Sequence, residues 1–505
     1  MTQLKPPPVQ PKLSIGTPGL DTILCGGIEP GRVYLVEGTP GTGKTTLALG
    51  FLLEGVRQGE VTLYVTLSES EVELRGVAAS HGWNMDGIDI YELVTEAGLD
   101  REAEQTVLHP AELELGETVR AVMARVRTVN PARVVFDSLS EIRLLAENPQ
   151  RYRRQVLALK YFFTQQKCTV LLLDDRSSEP VSTSADLKLY SIAHGVMTLE
   201  QLALDFGAER RRLRVVKLRG SQFRGGFHDF TIEPGGLAVY PRLVAHEHHS
   251  VFDHAQVTSG SHGLDQLLGG GLNPGTNTLL IGPSGAGKTT TATCALMAAL
   301  RRGERAAYFV FDEGLPTLLA RSAALNMDLR PFIEARQLSI RQIDPAEMSP
   351  GEFTYHVRMA IEQNHVHFVV IDSLNAYLQS MPGEKYLLLQ MHELLTYLNQ
   401  QGVITLMILG QHGMLGQVAA DVDLSYLADA IVLLRYFEAD GEVRKAISVV
   451  KTRTARHERT IREFNISSTG ICVGAPLKGF RGVLGGIPVW DGPSGALAYP
   501  ANPSV

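Results

Sequence analysis

Cysteine is scarce, a surplus of positive charge is missing, and no long apolar run occurs. Cys25, Cys168, Cys294 and Cys472 stand far apart, with no Cys-x-x-Cys pair. That excludes a thiolate metal knuckle or a disulfide scaffold, and predicts buried thiols in a reducing compartment. The formal net charge of −7 argues against a general polyanion binder, so nucleic acid is not an expected partner. No stretch reaches the roughly 18 apolar residues of a membrane span, and the start MTQLKPPPVQPKL has no apolar signal core. A cytoplasmic location away from membranes is expected. At 505 residues and 44% hydrophobic, the chain has room for two domains, each with its own core.

What the chain does have is two phosphate-binding loops. Gly38-Thr39-Pro40-Gly41-Thr42-Gly43-Lys44-Thr45 and Gly282-Pro283-Ser284-Gly285-Ala286-Gly287-Lys288-Thr289 both satisfy G-x-x-x-x-G-K-[ST], followed by Thr46 and Thr290. Each follows an apolar run and precedes a helical stretch, the context that the motif requires. Backbone N–H groups of such a loop curl around phosphate oxygens, and the helix adds its positive end. Lys44 and Lys288 are placed for the β- and γ-phosphates, Thr45 and Thr289 for Mg²⁺. A nucleoside triphosphate with Mg²⁺ is therefore the expected ligand of each loop.

The similarity extends beyond the loops. The offset 282 − 38 = 244 also carries Gly16, Gly19, Leu20 and Asp21 onto Gly260, Gly263, Leu264 and Asp265. A period this long means a duplicated domain and not a solenoid, whose repeats run to about 20–50 residues. In each half, short apolar runs alternate with amphipathic segments, which predicts an α/β domain with a largely parallel sheet. The runs are Val33–Val36, Thr62–Thr66, Arg133–Phe136, Thr169–Leu173 and Arg214–Leu218, then Thr278–Ile281, Ala307–Phe311, Phe368–Ile371, Ile404–Leu409 and Ala446–Val450. Charged segments before the last run of each half predict a terminal β-hairpin. The organisation read from the sequence is a disordered tail (1–13), a first domain (14–245), a linker (246–256), a second domain (257–478) and a Gly/Pro-rich tail (479–505). Four histidines between His246 and His254 admit a metal site or a solvated linker, and the linker is the reading adopted.

Phosphoryl chemistry needs an acidic metal ligand at a neighbouring strand end. Asp137 and Asp372, each after an apolar run and before Ser-Leu, fill that role. A carboxylate at the end of another strand must polarise the nucleophile. Glu69 and the pair Asp312-Glu313 follow the second strand of each half, with Asp312 also a candidate metal ligand; the alternative is a helix N-terminal charge. Cations beyond the loop lysine stabilise the transferring phosphoryl group. Lys217 with Arg219 and Lys451 with Arg453 occupy equivalent strand ends, where a merely solvated pair is the alternative.

With these residues in place, the chain resembles the KaiC family of circadian-clock ATPases and autokinases, over roughly residues 14 to 480. The resemblance implies two tandem RecA-like P-loop NTPase domains in a double-ring homohexamer, with ATP between neighbouring subunits. Lys217, Arg219, Lys451 and Arg453 would then act on the neighbour's nucleotide. The family's Glu-Glu pair is Ser68-Glu69 in the first copy and Asp312-Glu313 in the second. Asp is a methylene shorter than Glu, a shift of about 1 Å that catalysis can feel. The family's Ser-Thr phosphoacceptors correspond to Ser425 and Tyr426, so the first acceptor is retained and the second replaced by a longer phenol. A KaiB-like partner on the first ring is left open. The nearly uncharged tail argues against a KaiA-like activator. The competing functions are a RecA-type DNA motor, which needs basic channel loops, and a scaffold that binds ATP to assemble without hydrolysing it.

Overall fold

The computed structural model describes residues 11–93, 110–146, 148–176, 189–203, 207–379, 386–411, 425–439, 441–454, 456–467, 470–483 and 489–490. The chain forms two compact units, Met1–Arg242 and Leu243–Val505. The strands of the first are β1 (Val33–Gly38), β2 (Thr62–Thr66), β3 (Ile88–Glu92), β4 (Arg133–Asp137), β5 (Thr169–Asp175), β6 (Gly195–Leu202), β7 (Arg210–Leu218), β8 (His228–Glu233) and β9 (Gly236–Tyr240). Those of the second are β10 (Asn277–Gly282), β11 (Ala306–Val310), β12 (Leu338–Gln342), β13 (Phe368–Asp372), β14 (Ile404–Gly410), β15 (Ala430–Ala439), β16 (Glu442–Thr452), β17 (Arg462–Ser467) and β18 (Gly470–Pro476).

Both units build the same nine-stranded sheet. The orders are β3-β2-β4-β5-β1-β6-β7-β8-β9 and β12-β11-β13-β14-β10-β15-β16-β17-β18. Six strands run parallel, and the last three follow as antiparallel neighbours. The α/β architecture with tandem RecA-like units is thus the one the sequence predicts. The central parallel strands are apolar on both faces because helices cover both sides. In β1, Tyr34 and Val36 enter one core layer and Val33 and Leu35 the other, as the two-residue period of a strand requires. The predicted hairpins are β6–β7 and β15–β16, each with a register shift at the equivalent place, Val196/Met197 and Ile431/Val432.

The edge strands β3 and β12 were not visible in the sequence. Only the first residue of each is buried, so neither carries a continuous apolar run. The duplicated glycines have a common purpose. Gly16 and Gly260 take φ +83° and +82°, a left-handed turn that lets Asp21 and Asp265 accept from the amides of Ile15 and Ser259, each at 2.8 Å.

The segment read as a solvated linker is laid on the second unit. The His248 ring meets Tyr397 edge-on at 5.2 Å, the Ser250 amide donates to the Gln400 carbonyl, and Phe252 packs over Gly402. Among the described residues, no group of three or more His, Cys, Asp or Glu is placed to hold a metal. Phe480–Arg481 and Val489–Trp490 of the tail pair as two short strands, β19 and β20, and Val483 joins a small core with Phe437. Tail residues 484–488 and 491–505, like residues 1–10, lie outside the described residues. Among the described residues, no helix is long and apolar enough to cross a membrane.

Candidate functional site

Both phosphate loops sit at the carboxyl end of the central strand, β1 or β10, where open parallel sheets place ligands. The helices Lys44–Arg57 and Lys288–Arg301 begin on Gly43 and Gly287, with φ +92° and +109° and no side-chain cap. A Cβ at either glycine would lie 2.8 Å from Ile232 or from Phe464 and Ile466, so only glycine makes this turn. Without a cap, the first N–H groups of each helix remain as donors for an anion.

The loop lysines curl back over their own loops. Lys44 Nζ donates to the carbonyls of Gly38 (2.9 Å) and Thr39 (3.1 Å), and pairs with Asp175 at 2.8 Å. Lys288 Nζ donates to Gly282 and Pro283, both at 2.8 Å, and burial pulls its pKa below the usual lysine range, with Asp372 opposing. In the second unit these groups line a cavity of about 610 Å³, with Thr289, Asp312, Glu313 and Asp372 on its walls. That is within the range of small-molecule sites.

Asp137 and Asp372 end β4 and β13 beside the loops. Each precedes a serine across a cis peptide bond. Tyr64 donates to Asp137 Oδ2 at 2.6 Å, and Tyr308 to Asp372 Oδ2 at 3.1 Å. Thr289 Oγ1 also donates to Asp372 Oδ2, at 2.8 Å. Burial raises the pKa of both carboxyls, and these hydrogen bonds oppose the rise. A hydroxyl beside a buried carboxylate suits Mg²⁺, which keeps several waters and takes phosphate oxygens, needing only one or two carboxylates from the protein. The residues fit that ion. Tyr64 and Tyr308 escaped the sequence reading, although 308 − 64 = 244 obeys the repeat offset and could have exposed them.

The candidate bases are held differently. In the first unit, Ser70 caps the helix Glu71–Ser80 in a capping box with Glu73, so Glu69 is not used for capping. Its Oε2 is buried without a hydrogen-bond partner among the described residues. Burial first, then the charges of Asp137, Glu73 and Asp175, push its pKa above the ordinary glutamate range, with Lys44 opposing. In the second unit Asp312 accepts from Ser373 Oγ at 2.5 Å, and Glu313 pairs with Arg321 at 2.8 Å. Arg321 and Asp175 were also missed. Neither has a counterpart across the repeat: Val77 stands at 321 − 244, and Gly410 faces Gly282 where Asp175 faces Gly38.

The remaining predicted residues lie elsewhere. Lys217 pairs in register with Val196, near the start of β6, whereas Gly38 pairs with Leu199. Lys217, Arg219, Lys451 and Arg453 therefore occupy the amino edge of the parallel strands, opposite their own loops, with the lysines about 10 Å and the arginines about 17 Å away along β1 or β10. Lys217 donates to the carbonyls of Tyr190 and Ala193, and Lys451 to those of Ser425 and Ala428. Arg219 donates to the Ser191 carbonyl, and Arg453 to that of Tyr426. The structure thus gathers Ser425 and Tyr426 with the strand-end cations, away from Lys288. Ser425 is half-buried and Tyr426 exposed; residues 421–424 of that segment lie outside the described residues. Facing the arginines, the first unit has His194, pushed down to about 4 by burial, Lys160 and Arg32, and the second has Asp429, 3.4 Å from Arg453.

Comparison with known proteins adds a family to this geometry. The description of the KaiC ATPase matches residues 13–244 and again 257–478. The circadian clock protein KaiC3 of Synechocystis sp. is 27% identical over 485 residues, covering 96% of this chain and 95% of that protein. The circadian clock oscillator protein KaiC of Parathermosynechococcus lividus is 27% identical over 490 residues, covering 95% of this chain and 88% of that protein.

Proposed function

The chain belongs to the KaiC family of ATPases, and from that premise we propose that it hydrolyses ATP in both units and phosphorylates itself on Ser425 as a hexameric signalling or timing regulator. The observation that carries this reading is the division of each site between two sheet edges. Phosphate loop, Asp137 or Asp372, and Glu69 or Glu313 lie at one edge, while the strand-end Lys/Arg pair lies at the other. A single unit cannot bring them together, so a ring that apposes opposite edges of neighbouring copies completes every site.

In such a ring the loop amides and Lys44 or Lys288 bind the triphosphate. Thr45 with Asp137, and Thr289 with Asp372, would hold Mg²⁺, which would neutralise part of the phosphate charge. Glu69 accepts a proton from the attacking water in the first unit, and Glu313, with Asp312 beside it, does so in the second. Lys217 with Arg219, or Lys451 with Arg453, offsets charge on a neighbour's γ-phosphoryl group. Because Ser425 shares the edge of Lys451, it approaches the same neighbouring phosphoryl group. Its Oγ attacks phosphorus, the bond to the β–γ bridging oxygen breaks, ADP leaves, and the hydroxyl proton passes to Glu313 of the neighbouring copy.

The test is incubation of the purified chain with Mg-ATP. Phosphate release, phosphopeptide mapping and native mass with and without ATP are read together. Release of phosphate, label on Ser425 and an ATP-dependent hexamer are expected. Release without label on Ser425 or Tyr426 removes the kinase and leaves the ATPase; a persistent monomer removes the shared site.

A further inference from the structure

Glu37 is the residue before the first phosphate loop, and its side chain is almost wholly enclosed, 5% exposed. A carboxylate in that position needs a partner. The Tyr190 hydroxyl donates to Glu37 Oε2 at 2.6 Å. At its other end, the main-chain carbonyl of Tyr190 accepts from Lys217 Nζ, whose second acceptor is the Ala193 carbonyl at 2.8 Å. One residue therefore holds the strand-end lysine through its backbone and is itself pinned, through its phenol, to the strand that carries the phosphate loop.

Among the described residues, the second unit lacks this arrangement. Lys451 makes the same pair of carbonyl contacts, to Ser425 and Ala428, so Ser425 stands where Tyr190 stands. Ile281, at 37 + 244, replaces Glu37. Neither the reach of a phenol nor a carboxylate to receive it is present. We propose that Tyr190, anchored on Glu37, is a positioning residue that sets Lys217 for its action on a neighbouring copy's nucleotide, in the first unit only. This rests on the reading of Lys217 as a cation supplied in trans. It also places the lysine's support one residue from Gly38, the loop residue whose carbonyl receives Lys44.

The test uses the full chain carrying Glu313→Gln, so that hydrolysis reports the first unit. Tyr190→Phe, which removes only the hydroxyl, is expected to lower kcat about fivefold with KM within about twofold, as loss of one hydrogen bond felt in the transition state would do. Glu37→Gln keeps an acceptor for the phenol and is expected to keep kcat within about twofold, whereas Glu37→Ile lowers kcat at least as far as Tyr190→Phe. The double variant Tyr190→Phe/Glu37→Ile is expected to be no slower than the slower single one, since both remove the same phenol–carboxylate contact. Lys217→Met, measured alongside, separates the two ideas. If it is slow while Tyr190→Phe is unchanged, or if the two substitutions add, the positioning role is overturned and the trans cation stands. If Lys217→Met is itself unchanged, both are overturned.

Discussion

The two units share a sheet order, a loop geometry and an aspartate with its tyrosine, yet they restrain their carboxylates in different ways. In the first, Glu69 has one oxygen without a partner among the described residues, and Lys44 is bound to Asp175. In the second, Asp312 is tied to Ser373 and Glu313 to Arg321, and glycine stands where Asp175 would be. The lesson is which parts of a duplicated site are free to change. Phosphate is held by backbone amides at a helix start, and that demands one loop shape whatever the reaction. The protonation and orientation of a carboxylate depend on its neighbours, and single substitutions around Glu69, Asp312 and Glu313 adjust both.

The largest effect that could break this comparison comes from the loop lysines. Lys44→Ala and Lys288→Ala should each remove one of two bound nucleotides, with affinity at the altered site falling about a hundredfold or more, the loss expected when a buried phosphate loses its charged donor. Calorimetric stoichiometry checks this; if one substitution empties both sites, the units are not separable. Next come Glu69→Gln and Glu313→Gln, each expected to slow hydrolysis in its own unit by about 10²–10⁴-fold, the range of a lost general base. Equal residual rates in the two single variants would mean that the units share the turnover evenly.

A smaller effect distinguishes how the bases are held. Arg321→Ala should slow the second unit by about three- to tenfold, since it frees the orientation of Glu313 without removing it. The pair is partly exposed, so global stability should change by no more than about 1 kcal/mol. Hydrolysis measured with Glu69→Gln in the background, beside a melting curve, checks both halves of that statement.

The smallest expected effect is a shift along the pH axis. The proposed role of Glu69 as a base requires its deprotonated form, and its pKa is raised, so first-unit hydrolysis should fail at a higher pH than an ordinary glutamate would allow. Asp175→Asn removes one of the negative charges responsible and should move that acid limb to lower pH. A pH–rate profile in the Glu313→Gln background reads it; a limb that stays in place, or moves up, would remove Asp175 as a cause.

Much of this was legible before the fold was known, and the reason differs from residue to residue. The loops, Asp137, Asp372, Glu69 and Glu313 begin within three residues of the ends of apolar runs, and a parallel sheet puts the ends of such runs at one edge. Tyr64 and Tyr308 obeyed the repeat offset but lie inside strands, where a tyrosine reads as core. Asp175, Arg321 and the Glu37–Tyr190 contact have no counterpart across the repeat, so the duplication gave no hint of them. The edge strands β3 and β12 stayed hidden because half-exposed strands lack a continuous apolar signature.

The sequence by itself determined that two P-loop domains exist, where each loop lies and which strand ends carry acid. Those features depend on local spacing: a glycine pattern that bends the backbone, a lysine one turn on, and an apolar run that becomes a buried strand. Only the tertiary structure decided that Lys217, Arg219, Lys451 and Arg453 face away from their own loops, with Ser425 and Tyr426 beside Lys451 and Arg453. The direction of β7 and β16 in the sheet sets that, and antiparallel pairing reverses which end of a strand meets which edge. No residue within the strand announces it.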